Sequence, residues 1–319
     1  MKFKNTLILM SLILILILSF GCSREQPKTM SFGYQPFGSN FAFFVAMEKG
    51  FFEEQGLTVN AVKIISANDA ATAMIKGDIV GNATLPLNVL LNVEESQPGL
   101  FKIFLVKATS EKVWSDYILV RKGSEIDSIE KLKDKKVGGY PGSAQQALLK
   151  LILGKFMDDS EINTVEMPPA TQLQGLESEQ IDALLTYDEL AMIALDKGIA
   201  QVLVENPIGK YVVNPLYGFP YVLSSKFVKQ HPQLAKKVRD AMYKAVDFIN
   251  ENNKEAREIM AKWTGSEPQI AMKVNLWDQV KVEDIDKDAL QKLADIFVEA
   301  GIISKKIDTS HLYLTEKDF

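Results

Sequence analysis

The sequence predicts an α/β protein made of two lobes that share one plan. Short β-like runs alternate with helical ones from Ser31 onward, which is the pattern of α/β folds. The pattern then repeats, because Gly38-Ser39 matches Gly142-Ser143 and Asp78 matches Asp182 at the same spacing of 104 residues. A length of 319 residues also suits two globular units, since one domain ordinarily takes about 100–200 residues.

The first lobe opens with a predicted strand over residues 30–34, followed by a turn. Ser39 is a good N-cap for a helix over residues 40–49. This helix is apolar nearly all round, with Phe43 and Phe44 among its residues, so we expect it to be buried on most sides. The lobe continues with a strand over residues 57–65, a helix ending at Gly77 and a short strand over residues 78–83.

The second lobe repeats this order after a strand-like crossing over residues 116–120. Ser143 is predicted to cap its first helix, as Ser39 does in the first lobe. The other elements of this lobe are strands over residues 136–139, 162–167 and 181–186 and helices over residues 143–156 and 170–177. A strand-like stretch over residues 211–223 would return the chain to the first lobe. Further helices are predicted over residues 232–253, 263–277 and 289–300.

The composition excludes several classes of protein. Hydrophobic residues make up 47% of the chain and charged residues 24%, which are ordinary values for a globular protein. A net charge of -5 without long basic runs argues against a nucleic-acid partner. One cysteine and two histidines cannot form a disulfide framework or a Cys/His metal cluster. No cofactor motif is present, so we expect neither a cofactor nor a metal.

The N-terminus has the character of a secretion signal. Two lysines precede a mostly apolar run over residues 7–20, which is shorter than the about 20 residues that span a bilayer. The next residues include the single cysteine, and residues 19–22 (SFGC) resemble the lipobox of bacterial lipoproteins. The resemblance implies a signal peptide over residues 1–21 and a lipidated Cys22 with a polar tether over residues 22–30. An uncleaved N-terminal anchor helix is the alternative.

Four segments resemble one protein family. They are VAMEKGFFEEQGLTV (45–59), KLKDKKVGGYPGS (131–143), residues 175–186 with QIDAL near their end, and LSSKFVKQHP (223–232). The resemblance is to the extracytoplasmic solute-binding proteins of ABC importers, in the nitrate/sulfonate/taurine and thiamine-pyrimidine-precursor group. It implies the type II periplasmic-binding-protein fold. In that α/β fold each lobe is a mixed sheet flanked by helices, two strands act as hinges, and the ligand is enclosed in the cleft.

The same resemblance implies the partners and the division of the chain. The protein would be a monomer outside the cytoplasm, attached to the membrane only by its lipid anchor. It would deliver a small-molecule solute to an ABC permease and its ATPase. Lobe 1 is expected to comprise residues 31–117 and 214–319, which include the C-terminal helices, and lobe 2 to comprise residues 118–213.

The residues themselves indicate a binding site between the lobes. Ligands of open α/β sheets bind beyond the carboxyl ends of the strands, and the loop after the first strand of each lobe ends in Gly-Ser at a helix start. Such a helix start offers free N–H groups to a sulfonate, carboxylate, phosphate or nitrate. The alternative is that both serines are only N-caps. The candidates of this kind are Gly38, Ser39, Gly142 and Ser143.

Aromatic residues are frequent in the predicted strand-end loops and hinges. Their rings would stack on a flat or compact ligand; the alternative is ordinary core packing, because aromatic side chains bury large areas anywhere. The candidates are Tyr34, Phe37, Tyr140, Tyr187, Tyr217 and Phe219, together with Thr84, which follows the short third strand.

Asp188 follows the strand over residues 181–186 and bears most directly on ligand chemistry. If it faces the cleft, its carboxylate would bind an amino group and disfavour a bare anion such as nitrate. The alternative is a solvated acid at a helix start. No arginine lies in the predicted cleft loops to hold a planar anion. An aminosulfonate such as taurine, another sulfonate or an aminopyrimidine is therefore the expected solute.

The sequence does not predict an enzyme. Acyl transfer needs a nucleophile with a base beside it, whereas His231 lies at a helix border and His311 in the C-terminal tail. Thiamine-pyrimidine synthases, which share the fold, carry a cysteine-rich segment that has no counterpart in this sequence. Two alternatives to a transport receptor stay open: a cofactor-independent enzyme on this fold, and a ligand-sensing module that signals through a partner.

Overall fold

Two β-sheets organise residues 28–319, which are the residues that this computed structural model describes. The strands are β1 (Lys28–Tyr34), β2 (Leu57–Lys63), β3 (Gly81–Asn82), β4 (Phe101–Thr109), β5 (Asp116–Arg121), β6 (Lys136–Gly139), β7 (Asn163–Glu166), β8 (Ala183–Tyr187), β9 (Ala200–Glu205), β10 (Leu216–Ser224) and β11 (Asp278–Lys281). The sheet of lobe 1 has the order β11-β4-β10-β3-β1-β2, and that of lobe 2 has the order β7-β6-β8-β5-β9.

Helices cover both sheets. In chain order they are α1 (Phe41–Glu48), α2 (Phe51–Glu54), α3 (Ala67–Lys76), α4 (Leu87–Ser96), α5 (Ser143–Leu153), α6 (Pro169–Glu177), α7 (Asp188–Asp196), α8 (Pro207–Tyr211), α9 (Ser225–Gln230), α10 (Pro232–Glu251), α11 (Asn253–Thr264), α12 (Pro268–Ala271) and α13 (Lys287–Glu299).

The two sheets repeat one arrangement of strands. In lobe 1, β1 lies between β2 and β3 and is parallel to both; in lobe 2, β6 lies between β7 and β8 in the same way. An antiparallel strand follows in each lobe, β10 beside β3 and β5 beside β8. Because parallel neighbours point the same way, the carboxyl ends of β1 and β3 lie at one edge of their sheet, as do those of β6 and β8. This shared plan agrees with the repeat seen in the sequence.

The chain passes between the lobes twice. Residues 110–115 join β4 to β5, and residues 212–215 join α8 to β10. The return strand begins at Leu216 and not at the predicted Tyr211, because Tyr211 ends α8. Helices α10 and α11 then pack against α1, so the C-terminal helices cover lobe 1. The division of the chain into lobes stays a prediction, which these sheet memberships support.

Helix α1 is buried because its sequence offers no polar face. Its first six residues, 41–46, are at most 1% exposed. The rings of Phe43 and Phe44 lie 6.1 Å and 5.1 Å from that of Trp263, and the ring of Tyr34 lies 5.6 Å from Phe43. This aromatic cluster anchors α11 to the first helix of lobe 1.

Neither predicted serine cap is formed. Ser39 lies within a short 3-10 turn, Gly38–Asn40, and the residue that precedes α1 is Asn40, whose side chain makes no capping hydrogen bond. Ser143 is itself the first residue of α5, and Gly142 precedes it. Helix capping therefore does not explain why serine occurs at either position.

The helix predicted over residues 263–277 is wrong. Helix α11 ends at Thr264, Gly265 follows with a left-handed φ of 79°, and Pro268 begins the separate helix α12. Residues 278–281 form the edge strand β11. Glycine ends helices in the left-handed conformation and proline favours their first turn, so these two residues divide the apolar run. The extended chain that results carries Trp277 to the cleft.

The predicted signal peptide over residues 1–21 and the predicted lipidation site, Cys22, lie outside the described residues. Strand β1 begins at Lys28, within the predicted tether. In residues 28–319, no helix is both long and apolar enough to cross a membrane.

We expect Phe44→Ala to lower the free energy of unfolding by about 3–5 kcal/mol, because it leaves a cavity among fully buried rings. Phe37→Ala is the matched control: Phe37 is 51% exposed, so its loss should change the free energy by no more than about 0.5 kcal/mol. Urea unfolding followed by circular dichroism measures both values. Equal losses in the two variants would contradict the core position of α1.

Candidate functional site

The candidate cleft is the region between the strand ends of the two lobes. In lobe 1, residues 35–40 follow β1 and residues 83–86 follow β3; in lobe 2, residues 140–142 follow β6 and Asp188 follows β8. The lobes meet there, since the ring of Tyr187 in lobe 2 contacts that of Trp277 in the C-terminal part of lobe 1. This edge is where open α/β sheets bind their ligands.

A row of aromatic rings crosses the cleft. The ring centroids of Tyr140 and Tyr187 are 5.2 Å apart, and those of Tyr187 and Trp277 are 6.4 Å apart. Trp277 in turn lies 5.3 Å from Phe219. Three of these four rings were predicted as candidates. Trp277 was missed because it was assigned to a helix, and Gly265 with the proline after it was the signal that could have found it.

The extended segment that leads into β11 lines one side of this row. Alternate side chains of an extended chain point the same way, which places Asn275, Trp277 and Gln279 on one face. The Asn275 amide donates to the Tyr117 hydroxyl at 3.2 Å. The Gln279 side-chain oxygen accepts from the Tyr221 hydroxyl at 2.8 Å. The segment therefore connects β5 of lobe 2 to the interior of lobe 1.

Asp188 is a buried acid at this cleft. It is 6% exposed, and its Oδ1 accepts a hydrogen bond from the Tyr117 hydroxyl at 3.1 Å. Its Oδ2 has no partner in the part of the chain that the structure describes. Burial raises the pKa of Asp188 to about 8; the hydrogen bond from Tyr117 opposes this shift, and the Asp116 carboxylate adds to it. A solvated acid at a helix start does not describe this side chain.

A second buried carboxyl, Asp116, begins β5 and lies opposite Tyr187 on β8. Its Oδ2 accepts from the backbone N–H of Ile208 at 2.8 Å. Burial raises the pKa of Asp116 to about 6, while this hydrogen bond lowers it. The lobe 2 side of the crossing thus holds two carboxyls whose pKa values are raised by burial.

Lobe 1 holds a buried polar cluster beneath its cleft loops. Lys107, on β4, has no exposed surface, and its amino group donates to the side-chain oxygens of Asn40 and Thr84. It also lies 4.9 Å from the centre of the Tyr221 ring. Burial lowers the pKa of Lys107 well below its ordinary value of 10.5. Thr84 was a predicted candidate, whereas Lys107 was missed; a lysine inside the strand-like run FLVKAT was its signal.

Several buried polar atoms near the cleft have no hydrogen-bond partner within residues 28–319. They belong to the loop after β1, the end of β4, the first crossing and the start of α7. They are Gln35 Nε2, Thr109 Oγ1, Trp114 Nε1, Ser115 Oγ and Asp188 Oδ2. A buried polar atom without a partner costs about 1–3 kcal/mol, so a polar ligand that reached these atoms would be favoured.

The predicted glycines and serines lie at the rim of the cleft with Phe37. Gly38 and Ser39 are partly exposed, and Gly142 and Ser143 are exposed. Gly142 has a φ of 109°, a conformation that other residues rarely adopt, so the backbone alone requires glycine there. Ligand contact by these residues stays a prediction.

Two predicted rings pack in the core of lobe 1. Tyr34 contacts Phe43 and Trp263 in the aromatic cluster of α1. Tyr217 is 6% exposed, and its hydroxyl accepts from the backbone N–H of Asp286 at 3.4 Å, beside α13. The core-packing alternative fits both rings.

The lobes also touch beside the cleft. Helix α12 lies on α7 of lobe 2. The Ser266 hydroxyl donates to the Glu189 carboxylate, and Lys273 pairs with Asp196. These contacts hold lobe 2 against the C-terminal segment that covers lobe 1.

An open groove of 660 Å³ lies at the opposite end of lobe 1. Residues 29–31 of β1, residues 76–80 before β3, and His231 line it. It therefore lies at the amino ends of β1 and β3, away from the rings and polar groups of the cleft.

The topology and the facing strand ends define the two-lobed α/β fold of periplasmic binding proteins, as the sequence predicted. An aliphatic sulphonate binding protein from the periplasm of Escherichia coli matches this chain with a TM-score of 0.74 at 17% identity. The match covers 91% of this chain and 92% of that protein. The predicted fold class is confirmed.

The family of the chain is equally clear. Residues 39–256, more than half of the chain, match the family described as NMT1/THI5 like, and the chain belongs to that family. A binding protein of Brucella abortus is 23% identical over 98% of this chain and 98% of its own length. The 4-amino-5-hydroxymethyl-2-methylpyrimidine phosphate synthase of Saccharomyces cerevisiae is 20% identical over 69% of this chain and 66% of its own length. The resemblance found in the sequence is confirmed.

The contribution of Asp188 to the stability of the protein should fall as the pH rises from about 4 to about 8. In the folded state the pKa of Asp188 is raised to about 8 from an ordinary value of 3.8, so the folded protein keeps a proton that the unfolded chain has released. The resulting stabilisation is complete below about pH 4 and is lost as the pH rises through about 8. Since one pKa unit corresponds to about 1.4 kcal/mol, we expect a loss of several kcal/mol.

Asp188→Asn separates this effect from that of Asp116, whose pKa is about 6. The buried Lys107, whose pKa is lowered, acts in the opposite direction in both proteins. The stability of the wild type relative to the variant therefore isolates Asp188, and it should fall between about pH 4 and 8. Urea unfolding at half-unit pH intervals measures both profiles. A stability difference between the two proteins that does not change between pH 6 and 8 would contradict the raised pKa of Asp188.

Proposed function

We propose that the protein is an extracytoplasmic receptor that binds a small organic solute between its lobes and delivers it to the permease of an ABC importer. The observation that carries this proposal is the convergence of binding groups from both lobes. Tyr187 and Asp188 of lobe 2 meet Asn275 and Trp277 of the segment that covers lobe 1. The names of two similar proteins, a binding protein and an aliphatic sulphonate binding protein, support it.

The cleft suits a small solute that carries an amino group. An amino donor would satisfy the buried Oδ2 of Asp188 and would favour its ionised form. The aromatic row would enclose the carbon skeleton. An aminosulfonate such as taurine is our first candidate, and another sulfonate or an aminopyrimidine is the second. The name of the Escherichia coli protein supports a sulfonate, and that of the yeast relative supports a pyrimidine.

Solute capture would act through closure of the lobes. A solute that touches both walls binds the closed form more tightly than the open form, and it shifts the population by that difference in affinity. Contacts beside the cleft, such as that of Lys273 with Asp196, would add to the closed form whether or not solute is bound. The permease would then distinguish loaded from unloaded receptor by the relative position of the lobes.

An enzyme on the same fold is the second candidate function, because the yeast relative is named a synthase. The two histidines do not support it. His311 contacts Glu94 at 2.6 Å and its carbonyl accepts from Lys102 at the start of β4, while His231 lines the groove at the far end of lobe 1. Conversion of a bound solute, followed by mass spectrometry, would favour the enzyme.

Lipidation of Cys22 is part of this proposal. Cys22→Ser should move the protein from the membrane fraction to the soluble fraction, because burial of acyl chains contributes about 0.8 kcal/mol for each CH₂ group. Ser23→Ala is the matched control and should stay with the membrane. Fractionation after labelling with radioactive palmitate measures both properties. A Cys22→Ser protein that remains in the membrane would favour the uncleaved anchor helix.

Taurine should raise the melting temperature of the purified protein. A solute at 100 times its Kd stabilises the folded state by about 2.7 kcal/mol, which a thermal-shift assay detects. The panel is taurine, ethanesulfonate, an aminopyrimidine and nitrate, in buffers that contain no sulfonate. We expect nitrate to have the smallest effect. If no organic member of the panel shifts the melting temperature, the proposed solute class is wrong.

Asp188→Asn should weaken taurine binding by about 10- to 100-fold, because a hydrogen bond to a charged group is worth about 1.5–3 kcal/mol. Ethanesulfonate lacks the amino group, so its affinity should change far less. Asp127→Asn, whose side chain is 74% exposed, is the matched control. Calorimetric titration measures all the affinities. An equal loss for both solutes would show that Asp188 does not bind the amino group.

A further inference from the structure

Lys107 lies at the positive end of helix α1. Its amino group contacts Asn40, the residue that directly precedes this helix, and Thr84 on the loop after β3. The first N–H groups of a helix carry a partial positive charge, so a cation at this place is repelled and not stabilised. The Tyr221 ring lies against the same amino group, and its hydroxyl, which donates to Gln279, also lies 3.3 Å from the carbonyl oxygen of Ser39 at the cleft rim.

Within residues 28–319, no acidic side chain pairs with the amino group of Lys107. Asn40 and Thr84 contact it from the loops, and Phe219 on β10 and Gln279 on β11 lie opposite it on the neighbouring strands. Tyr221, also on β10, is the one titratable group among these neighbours, and burial raises its pKa above the ordinary value of 10.0. Because burial alone lowers the pKa of Lys107, the neutral amine is favoured in the protein without ligand.

Two hydrogen-bond donors without partners lie near Lys107. Gln35 is 2% exposed, and its carbonyl accepts from the Asn40 amide at 2.7 Å, while its own Nε2 has no partner in the described part of the chain. Thr109 lies two residues after Lys107 on β4, hence on the same face, and its buried hydroxyl is also unpartnered there. An acidic group with several acceptor oxygens would satisfy these donors and the amino group together.

We propose that Lys107 is the receptor for the acidic group of the solute and that it takes up a proton from solvent when that group binds. The inference rests on the proposed function, since it concerns the solute of the same cleft. In this step the neutral amine of Lys107 accepts a proton from a buffer acid. The ammonium so formed pairs with the sulfonate, carboxylate or phosphate, which keeps its own negative charge. The bound anion supplies the negative charge that pairs with the Lys107 ammonium, since no side chain of the described residues does so.

Proton uptake distinguishes this step from ordinary charge pairing. Ethanesulfonate is the probe because it has an acidic group but no amine, so the carboxyl of Asp188 does not exchange a proton with it. Titration calorimetry at pH 8 in Tris, triethanolamine and imidazole, none of which is an acid anion, gives the number of protons from the dependence of the heat on buffer. We expect an uptake approaching about one proton per solute.

Lys107→Met should abolish this proton uptake. It should also weaken the binding of ethanesulfonate at least about tenfold, since it removes a charge-assisted hydrogen bond. Lys102→Met, on the same strand, is the matched control and should keep both properties. Lys107→Gln, which retains a donor for Asn40 and Thr84, provides a second variant should the methionine protein fail to fold. The inference is overturned if the heat of ethanesulfonate binding does not depend on the buffer, or if the Lys107 variants bind ethanesulfonate as tightly as the wild type does. Either result leaves the proposed function standing.

Inorganic sulfate separates the remaining outcomes. If no organic solute binds, but sulfate raises the melting temperature of the wild type and not that of Lys107→Met, and its binding takes up a proton in the same buffers, the anion site at Lys107 holds and the proposed function fails. A wild-type protein that binds neither ethanesulfonate nor sulfate overturns the inference, whatever it shows with aminopyrimidines.

Discussion

Each lobe brings the carboxyl ends of its parallel strands to one edge of its sheet, and the position of the main candidate binding groups depends on that arrangement. Asn40 and Thr84 follow β1 and β3 of lobe 1, while Tyr140 and Asp188 follow β6 and β8 of lobe 2. Because the two sheets repeat one strand order, their loop-bearing edges can face each other across the two crossings. Duplicated topology would therefore produce the proposed two-walled site from loops that are distant in sequence.

The two walls differ in chemistry although they share a topology. Lobe 1 buries an amine at Lys107 and lobe 2 buries a carboxyl at Asp188, and burial favours the neutral form of each. An unpaired charge in a protein interior costs several kcal/mol per ion. In the unliganded protein neither group carries that full cost, because its neutral form is favoured. A zwitterionic solute would supply both missing charges at once, so the affinity of the proposed site would depend on the charge pattern of the solute.

The sequence predicted the α/β class, the two lobes and the matching strand order, because alternating patterns and a 104-residue repeat are local or periodic signals. It missed Lys107 because the lysine sits inside an apolar strand run, and its partners lie 67 and 23 residues away. It placed Trp277 in a helix because apolar spacing outweighed Gly265. The burial of Asp188 was also beyond local signals, since it depends on side chains from β5 and from the C-terminal segment.

The tryptophans of this chain are unevenly placed, and that has an optical consequence. Of the three, Trp263 is packed in the core of lobe 1, Trp114 lies in the first crossing, and Trp277 stands in the aromatic row between the lobes. Separation of the lobes would expose the latter two indoles to water and leave the first unchanged. Intrinsic fluorescence would therefore report movement of the lobes against the constant signal of Trp263, without any attached dye.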